Sequence, residues 1–521
     1  MSEINIPNAN GRPPSATAGE APDPRRWLIL AVVGLAQLMV VLDATIVNIA
    51  LPSAQRSLHF STVDRQWVVT AYALAFGSLL LLGGRLADLL GRKVTFLAGL
   101  TGFAAASAVG GAATSFGMLV VARASQGAFG ALMAPSALSL LTTTFSDPKE
   151  RGRAFGVFGA IVGAGGAVGL LLGGLLTEYL SWRWCLYVNL VFAAISGIGG
   201  AMLLRRQPSP ERPKLDIPGV VAVSGGMFCI VYGFANAATH NWHTPSTWGF
   251  LAAGVALLAV FAWWQTRAPA PLLPLRVVLD RNRGAAYLSI LIAGSGIFGI
   301  FLFLTYYLQL TLRFSPVVTG VAFLPMVGCI MASANLANIV LMPRFGPKPL
   351  VAAGMLLAAG GLVWLTRIGV HSSYAADVLP PLLLIGTGLG QAIAPSINAG
   401  TFGVAPSDAG VASASVNTGQ QLGGSVGTAL LNTIAASAVT SYLATHVTPG
   451  TLTRSGPSRG LMALALVHGY TTAFWWSAAI FACGAVVAGV LFRRGPLTRR
   501  GPASQPGALA EGSQQAVAPP A

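Results

Sequence analysis

The sequence predicts an all-α polytopic membrane protein that crosses the bilayer fourteen times, in two six-helix halves with a two-helix insert. Three observations predict it. Only 9% of the 521 residues are charged and 54% are hydrophobic, against about 25% charged in soluble domains. Fourteen apolar stretches of near-spanning length recur along the chain. Two loop segments of the first half return, in register, in the second.

So few charges cannot coat a water-soluble surface, and most of the outside therefore faces lipid. The mean hydropathy of +0.68 agrees. The stretches approach the roughly 20 residues a spanning helix needs, not the roughly 10 of a barrel strand. In order they are 27–48, 65–83, 94–113, 117–140, 154–176, 184–204, 217–237, 247–265, 285–308, 317–342, 349–367, 378–401, 409–436 and 471–492. Little more than Thr114-Ser115-Phe116 parts the third from the fourth, but 94–140 is too long for one span.

Lysine and arginine orient these spans. With the N-terminus inside, 23 of the 31 fall in inside segments, 7 (Arg56, Arg65, Arg183, Arg313, Arg367, Arg454 and Arg459) in outside segments, taking charges at the span ends with the loops, and Arg123 within a span. Cytoplasmic loops collect such residues. The ratio supports an even span count with both termini cytoplasmic. It also accounts for the net charge of +16 without nucleic acid as a partner.

An internal repeat divides the chain. Pro148, Glu150, Gly152 and Ala154 follow the fourth span. Pro406, Asp408, Gly410 and Ala412 follow the twelfth at the same offsets. Gly84-Arg85-Leu86-Ala87-Asp88-Leu89-Leu90-Gly91-Arg92-Lys93, after the second span, has a degraded counterpart in Pro343-Arg344-Phe345-Gly346-Pro347-Lys348 after the tenth. Spans 1–6 thus match 9–14. The expected organisation is a cytoplasmic tail at 1–26, an N-terminal half at 27–204, an insert with flanking cytoplasmic loops at 205–284, a C-terminal half at 285–492 and a cytoplasmic tail at 493–521.

A charge inside the bilayer costs about 2.5–3.5 kcal/mol and tends to be functional. Two lie well inside spans, Asp43 and Arg123. Span 1 runs outward and ends near Asn48, about five residues past Asp43. Span 4 runs inward from about 117, about six residues before Arg123. At about 1.5 Å per residue the two depths agree within a few Å. The two side chains can therefore face each other or share a cavity. A static ion pair and a proton switch both stay open. Of the two, only Asp43 can titrate, because arginine keeps its proton.

Other residues point to motion and packing. In Gly83 to Lys93, Gly84 and Gly91 permit a tight turn. Arg85, Arg92 and Lys93 are cytoplasmic cations, and Asp88 sits where it can meet a helix N-terminus or a neighbouring arginine. Gly165, Gly169 and Gly173, followed by Gly174, form a small-residue stripe that lets another helix approach closely. Uncharged candidates for a substrate cavity are Gln37, Gln126, Tyr306, Asn335, Asn398, Asn417 and Gln420. Each is equally suited to bond a neighbouring helix. Cys185, Cys229, Cys329 and Cys483 lie in separate apolar stretches, and no phosphate-binding loop is present. Neither metal nor cofactor is expected.

These segments resemble known motifs. Gly83 to Lys93 resembles motif A of the major facilitator superfamily. Leu42-Asp43-Ala44-Thr45-Ile46-Val47-Asn48-Ile49-Ala50-Leu51-Pro52 resembles the first-helix motif of its fourteen-helix drug:proton antiporters, the EmrB/QacA type. Arg123 to Gly130, with Gln126, resembles motif B, Gly163 to Gly174 motif C, and Trp182 to Asn189 the entry to the sixth helix. The resemblance covers roughly 27–492. Motif C departs from the pattern, because Leu170 follows Gly169 where the proline of Gly-Pro is usual.

The resemblance implies two six-helix bundles around a central cavity, working by alternating access as a monomer. It implies antiport of protons against a hydrophobic small molecule, such as an antibiotic or drug, across a bacterial cell membrane. It places Asp43 and Arg123 in proton coupling and motif A in the conformational switch. An uptake permease for a polar solute and a non-transporting membrane sensor are the competing readings.

Overall fold

The computed structural model describes residues 24–497, apart from 62–63, 146, 206–215, 241, 243, 270, 273–274, 405–408, 448–451 and 454–455. In chain order the helices are α1 (Arg26–Leu58), α2 (Arg65–Leu90), α3 (Arg92–Gly111), α4 (Phe116–Thr144), α5 (Pro148–Tyr179), α6 (Trp184–Leu203), α7 (Ile217–His240) and α8 (Pro245–Gln265). There follow α9 (Leu275–Val278), α10 (Arg281–Tyr306), α11 (Pro316–Leu336), α12 (Met342–Phe345), α13 (Pro347–Leu365), α14 (Leu379–Thr401), α15 (Ala409–His446) and α16 (Arg459–Leu491). Wider π-helical turns at Tyr307–Thr311, Ala337–Leu341 and Tyr374–Val378 extend α10, link α11 to α12 and precede α14. A two-residue antiparallel ladder, Leu452–Thr453 with Gly456–Pro457, is the strand structure among the described residues.

Twelve helical runs among the described residues are long and apolar enough to cross a membrane. In α2 and α5 the described apolar stretches are the shorter Trp67–Leu80 and Val168–Tyr179. Lipid offers no hydrogen bonds, so the backbone must satisfy itself, and helices do so. Their starts are marked in the sequence. Ser115 caps α4, Asp147 caps α5 ahead of Pro148, Asp280 caps α10, Ser315 caps α11 ahead of Pro316, and Ser458 caps α16. Each side chain accepts backbone N–H groups that have no partner within the first turn.

The packing repeats as the sequence does. α1 packs on α4, α5 and α6, as α10 packs on α14, α15 and α16. α2 and α3 both pack on α4, as α11 and α13 pack on α14, and α3 meets α6 as α13 meets α16. The most extensive contacts between these sets are α5 with α11 and α2 with α15. α7 and α8 pack together, and α7 lies against both α2 and α15. The two glycine links also correspond. Gly91 and Gly346, at φ 91° and φ 75°, join α2 to α3 and α12 to α13. A side chain would be strained at either. Pro406 and Asp408, the second copy of the other repeated segment, lie outside the described residues.

Two local expectations change. The turn in Gly83 to Lys93 is the single residue Gly91, because α2 continues to Leu90. Gly84 is therefore an ordinary helical residue. It is Gly83 that permits close approach, since a Cβ there would stand 2.0 Å from the Ala131 carbonyl oxygen of α4. Likewise α1 runs ten residues past Asn48, through Pro52, because Ile49, Ala50, Leu51 and Ala54 are buried along the extension. Asp43 thus lies near the middle of a helix, not near its end.

The face that carries Gly91, Gly346 and the described ends of the chain is the terminal face. The face that carries residues 59–61, 64, 112–115, 180–183, 312–315 and 366–373 is the far face.

Candidate functional site

Asp43 and Arg123 meet in the interior. Their relative exposures are 0% and 2%, and Arg123 Nη1 donates to Asp43 Oδ2 at 2.5 Å. α1 supplies the acid and α4 the base. Two further helices complete the shell. Asn189 Nδ2 of α6 donates to Asp43 Oδ1 at 2.8 Å, and Gln126 Nε2 donates to the same oxygen at 3.1 Å. The Gln126 Oε1 accepts from Arg123 Nη1 at 2.8 Å, and its amide nitrogen also donates to Ser107 Oγ of α3 at 2.6 Å. Arg123 Nε donates to the Val68 carbonyl at 3.2 Å, and the guanidinium lies 4.4 Å from the Tyr72 ring centroid, both on α2.

Five helices therefore converge on one carboxylate–guanidinium pair. Burial makes a lone charge there costly, and pairing with satisfied donors makes it tolerable. Asp43 accepts three donors and Arg123 is shared among four partners. Such a cluster reports on the relative position of α1, α2, α3, α4 and α6. Neutralising the carboxylate would loosen it at every one of these helices.

A cavity of about 20 Å³ adjoins the pair, about the room of one water. It is lined by Tyr72 of α2 and Arg123 of α4 and by Gln421 and Thr428 of α15.

The other predicted residues are dispersed. Gln126 belongs to the Asp43 cluster rather than to an open cavity. Tyr306, buried at 2% exposure, lies beneath Arg65, whose Cζ is 3.5 Å from its ring centroid. Gln37 is buried in α1, and Asn417 and Gln420 are half-buried on α15. Asn335 and Asn398 are exposed, and the Asn335 amide donates to the Met331 carbonyl at 2.9 Å. Among the described contacts none of these five reaches the Asp43 carboxylate.

In the motif A segment, Arg85 Nη2 donates to the Pro271 carbonyl beyond α8 at 2.8 Å. Lys93 Nζ donates to the Ala201 carbonyl at 2.7 Å and to that of Leu204, placing a cation at the C-terminal end of α6. Arg92 is half-buried at the first turn of α3. Asp88 lies in α2, with its side chain outside the described residues.

The glycine stripe packs against two helices. A Cβ at Gly165 would meet Val41 and Leu38, at Gly169 Thr45 Oγ1 at 2.0 Å, and at Gly173 Ile46, all on α1. At Gly174 it would meet Val317 Cα of α11 at 2.8 Å.

Asn189 and Ser107 carry no role in the sequence reading. Their signal was faint: single uncharged polar residues in apolar helices, at the depth of Asp43. Gln126 had a clearer one, three residues after Arg123 and so on the same helical face.

A second polar cluster lies at the terminal face. Asp216, just before α7, accepts from Trp264 Nε1 at 2.6 Å, Gln265 Nε2 at 2.8 Å and the Gly219 N–H at 3.0 Å. Burial pushes its pKa up, but the Trp264, Gln265 and Gly219 donors and the nearby Arg85 charge outweigh that and hold it below the usual carboxylate value.

Comparison with known proteins gives a consistent picture. The Major Facilitator Superfamily model matches residues 33–428. The puromycin resistance protein pur8 of Streptomyces alboniger is 47% identical over 487 residues, covering 93% of this chain and 95% of that protein. The tetracenomycin C resistance and export protein of Streptomyces glaucescens is 37% identical over 435 residues, covering 83% and 80%. Among solved structures, an autoinhibited POT family peptide transporter superposes with a TM-score of 0.64 at 17% identity, covering 92% of this chain and 99% of that one. At that identity the likeness speaks for the fold alone.

Proposed function

Since the chain belongs to the Major Facilitator Superfamily, we propose that it exports antibiotic-like hydrophobic small molecules across a bacterial cell membrane by proton antiport. It is a transporter rather than an enzyme, as its family and its resistance and export relatives indicate. In this reading α2 and α5 also cross the bilayer, which raises the count to the fourteen spans of the EmrB/QacA type. The two packing sets are the transport halves, at 27–204 and 285–492, and α7 and α8 form the insert at 205–284. The tails at 1–26 and 493–521 are cytoplasmic, and the molecule acts as a monomer.

The observation that carries the proton coupling is the buried Asp43–Arg123 pair. A proton drives a cycle only if its affinity differs between the two arrangements of the protein. Asp43 is the one member of the pair that can exchange a proton, since arginine keeps its own. Protonation removes the charge that Arg123, Gln126 and Asn189 jointly hold. The five converging helices then lose a shared tether, and the balance between arrangements shifts. Arg123 is left to its Gln126, Val68 and Tyr72 contacts. Motif A, through Gly83, Gly91 and Arg85, is the terminal-face element that the change of arrangement must remake. The substrate path runs between the halves, with Gln37, Asn335, Asn398, Asn417 and Gln420 as its polar lining.

The test is proton release. Purified protein is reconstituted into proteoliposomes holding an interior pH probe, and a downhill gradient of puromycin is applied. Antiport predicts proton movement opposite to the drug, abolished by a protonophore. Drug flux with no linked proton movement would refute the coupling.

A further inference from the structure

Arg65 is the first residue of α2 and is only 4% exposed. Among the described residues it forms no ion pair. Its Nη1 donates to Gln55 Oε1 at 3.2 Å, and its guanidinium lies flat against Tyr306, 3.5 Å from the ring centroid. Tyr306 ends α10, in the other half, and Tyr470 of α16, whose phenol faces the same guanidinium, lies 6.4 Å from Tyr306 between ring centroids. The charge therefore bridges the halves. Two other bridges lie on the same face. Gln309 Nε2 donates to the Ile49 carbonyl at 3.1 Å, and Glu178 Oε2 accepts the Val317 N–H at 2.9 Å.

We propose that Arg65, stacked on Tyr306, is the latch that keeps the far face closed. This rests on the alternating-access reading given above. A neutral aromatic partner suits a contact that must break in every cycle. Separating a buried ion pair strands two charges. Separating this pair lets one guanidinium rehydrate and leaves behind a ring that tolerates either environment. A desolvated cation–π contact is nevertheless strong enough to bias the arrangement.

The experiment places spin labels at Thr114→Cys and His371→Cys, exposed far-face sites in the two halves, with the native cysteines replaced by alanine. Distances are measured by electron–electron resonance in nanodiscs at acidic and neutral pH. Arg65→Ala is expected to raise the ratio of long to short distances about tenfold, the equivalent of about 1.4 kcal/mol. Tyr306→Leu is expected to do the same, and Tyr306→Phe, which keeps the aromatic face, to behave as wild type. Unchanged populations in Arg65→Ala overturn the latch. So does a Tyr306→Phe shift as large as that of Tyr306→Leu, since the hydroxyl would then be what matters. If Arg65→Ala fails to fold, the two Tyr306 variants decide alone. A wild type with one distance under every condition removes the alternating-access reading and the latch together. Two wild-type distances that ignore these variants remove only the latch.

Discussion

Replacing Asp43 by asparagine tests the coupling most directly. The substitution keeps the shape and removes the charge. Asparagine offers one acceptor where aspartate offers two. If its oxygen takes the Oδ1 place, it still accepts from Asn189 and Gln126, at 2.8 Å and 3.1 Å in the wild type. Its amide nitrogen then opposes Arg123 Nη1, donor against donor, where the wild-type separation is 2.5 Å. Turned over, it meets the Asn189 and Gln126 amide nitrogens instead. Neither orientation satisfies the shell. Arg123, at 2% exposure, is left without its counter-charge. Breaking a buried pair from one side costs about 3–5 kcal/mol. Even the lower figure is a factor of about 150 in any equilibrium that depends on the pair. Asp43→Asn should therefore shift the balance of arrangements and abolish drug accumulation against a gradient in proton-energised proteoliposomes. Downhill drug exchange, which needs no titrating group, should remain measurable. The double variant Asp43→Asn/Arg123→Gln should recover thermal stability relative to either single change, without recovering uphill transport. If Asp43→Asn accumulates drug as the wild type does, coupling lies elsewhere and the pair is a static tether.

Three further outcomes are expected. Asn189→Ala removes a donor to a charged carboxylate, a contact of about 1.5–3 kcal/mol, and should depress uphill transport while sparing downhill exchange in the same vesicles. Gly83→Ala should lower the thermal midpoint in detergent by the about 1–3 kcal/mol of an overpacked contact, because the new methyl meets the Ala131 backbone. Gly84→Ala, whose nearest neighbour would be Pro135 at 3.7 Å, should be close to neutral. Asp216→Ala should destabilise the protein at neutral pH by about 2 kcal/mol through its lost hydrogen bonds. The folded-state pKa of Asp216 is lowered, so its contribution is full above the ordinary carboxylate range and is lost as pH falls through the folded value. Thermal midpoints of wild type and variant should converge in that acid range, and a gap that persists there would contradict the assignment.

Charge against an apolar background was the readable signal. Asp43 and Arg123 stand out because the bilayer penalises each of them, and their helices bring them together. The argument that matched their depths was less secure, because it ended α1 at Asn48. Burial of the following apolar residues carries the helix on through Pro52, which sequence alone does not show. Uncharged polar residues were harder. Asn189 and Asn335 look alike in the sequence, yet one is fully buried against Asp43 and the other exposed on α11. Which face a residue occupies depends on the rotation of its helix, and helices that are apolar all round carry little periodic signal to set it. Gly84, read as a turn residue, is helical instead, and a close approach of α4 falls at Gly83. Arg65 was counted among outside loop charges, since a count of lysine and arginine assumes that each is solvated. Its guanidinium is instead buried against the Tyr306 ring at the end of α10.

The position of Leu170 shows how the halves and the ion pair are mechanically joined. α5 is helical from Pro148 to Tyr179 without a break. A proline at 170 would delete one backbone donor and bend the helix there. With leucine, the Leu170 carbonyl oxygen stands 2.6 Å from where a Cβ on Gly320 of α11 would lie, so α11 seats directly on the unbent backbone. One turn on, Gly174 seats on Pro316 and Val317 in the same manner. The neighbouring face of α5, through Gly165, Gly169 and Gly173, seats on the stretch of α1 from Leu38 to Ile46 that contains Asp43. On the α1 side the meeting atoms belong to Leu38 and Leu42, which can change rotamer, and to the branched residues Val41, Thr45 and Ile46, whose χ1 is restricted. On the α11 side backbone meets backbone. α5 therefore packs closely both on α11 and on the stretch of α1 that makes the 2.5 Å contact between Asp43 and Arg123. A shift of α11 against α5 is expected to bear on that contact through α1, most directly at Thr45 and Ile46, where the restricted side chains stand.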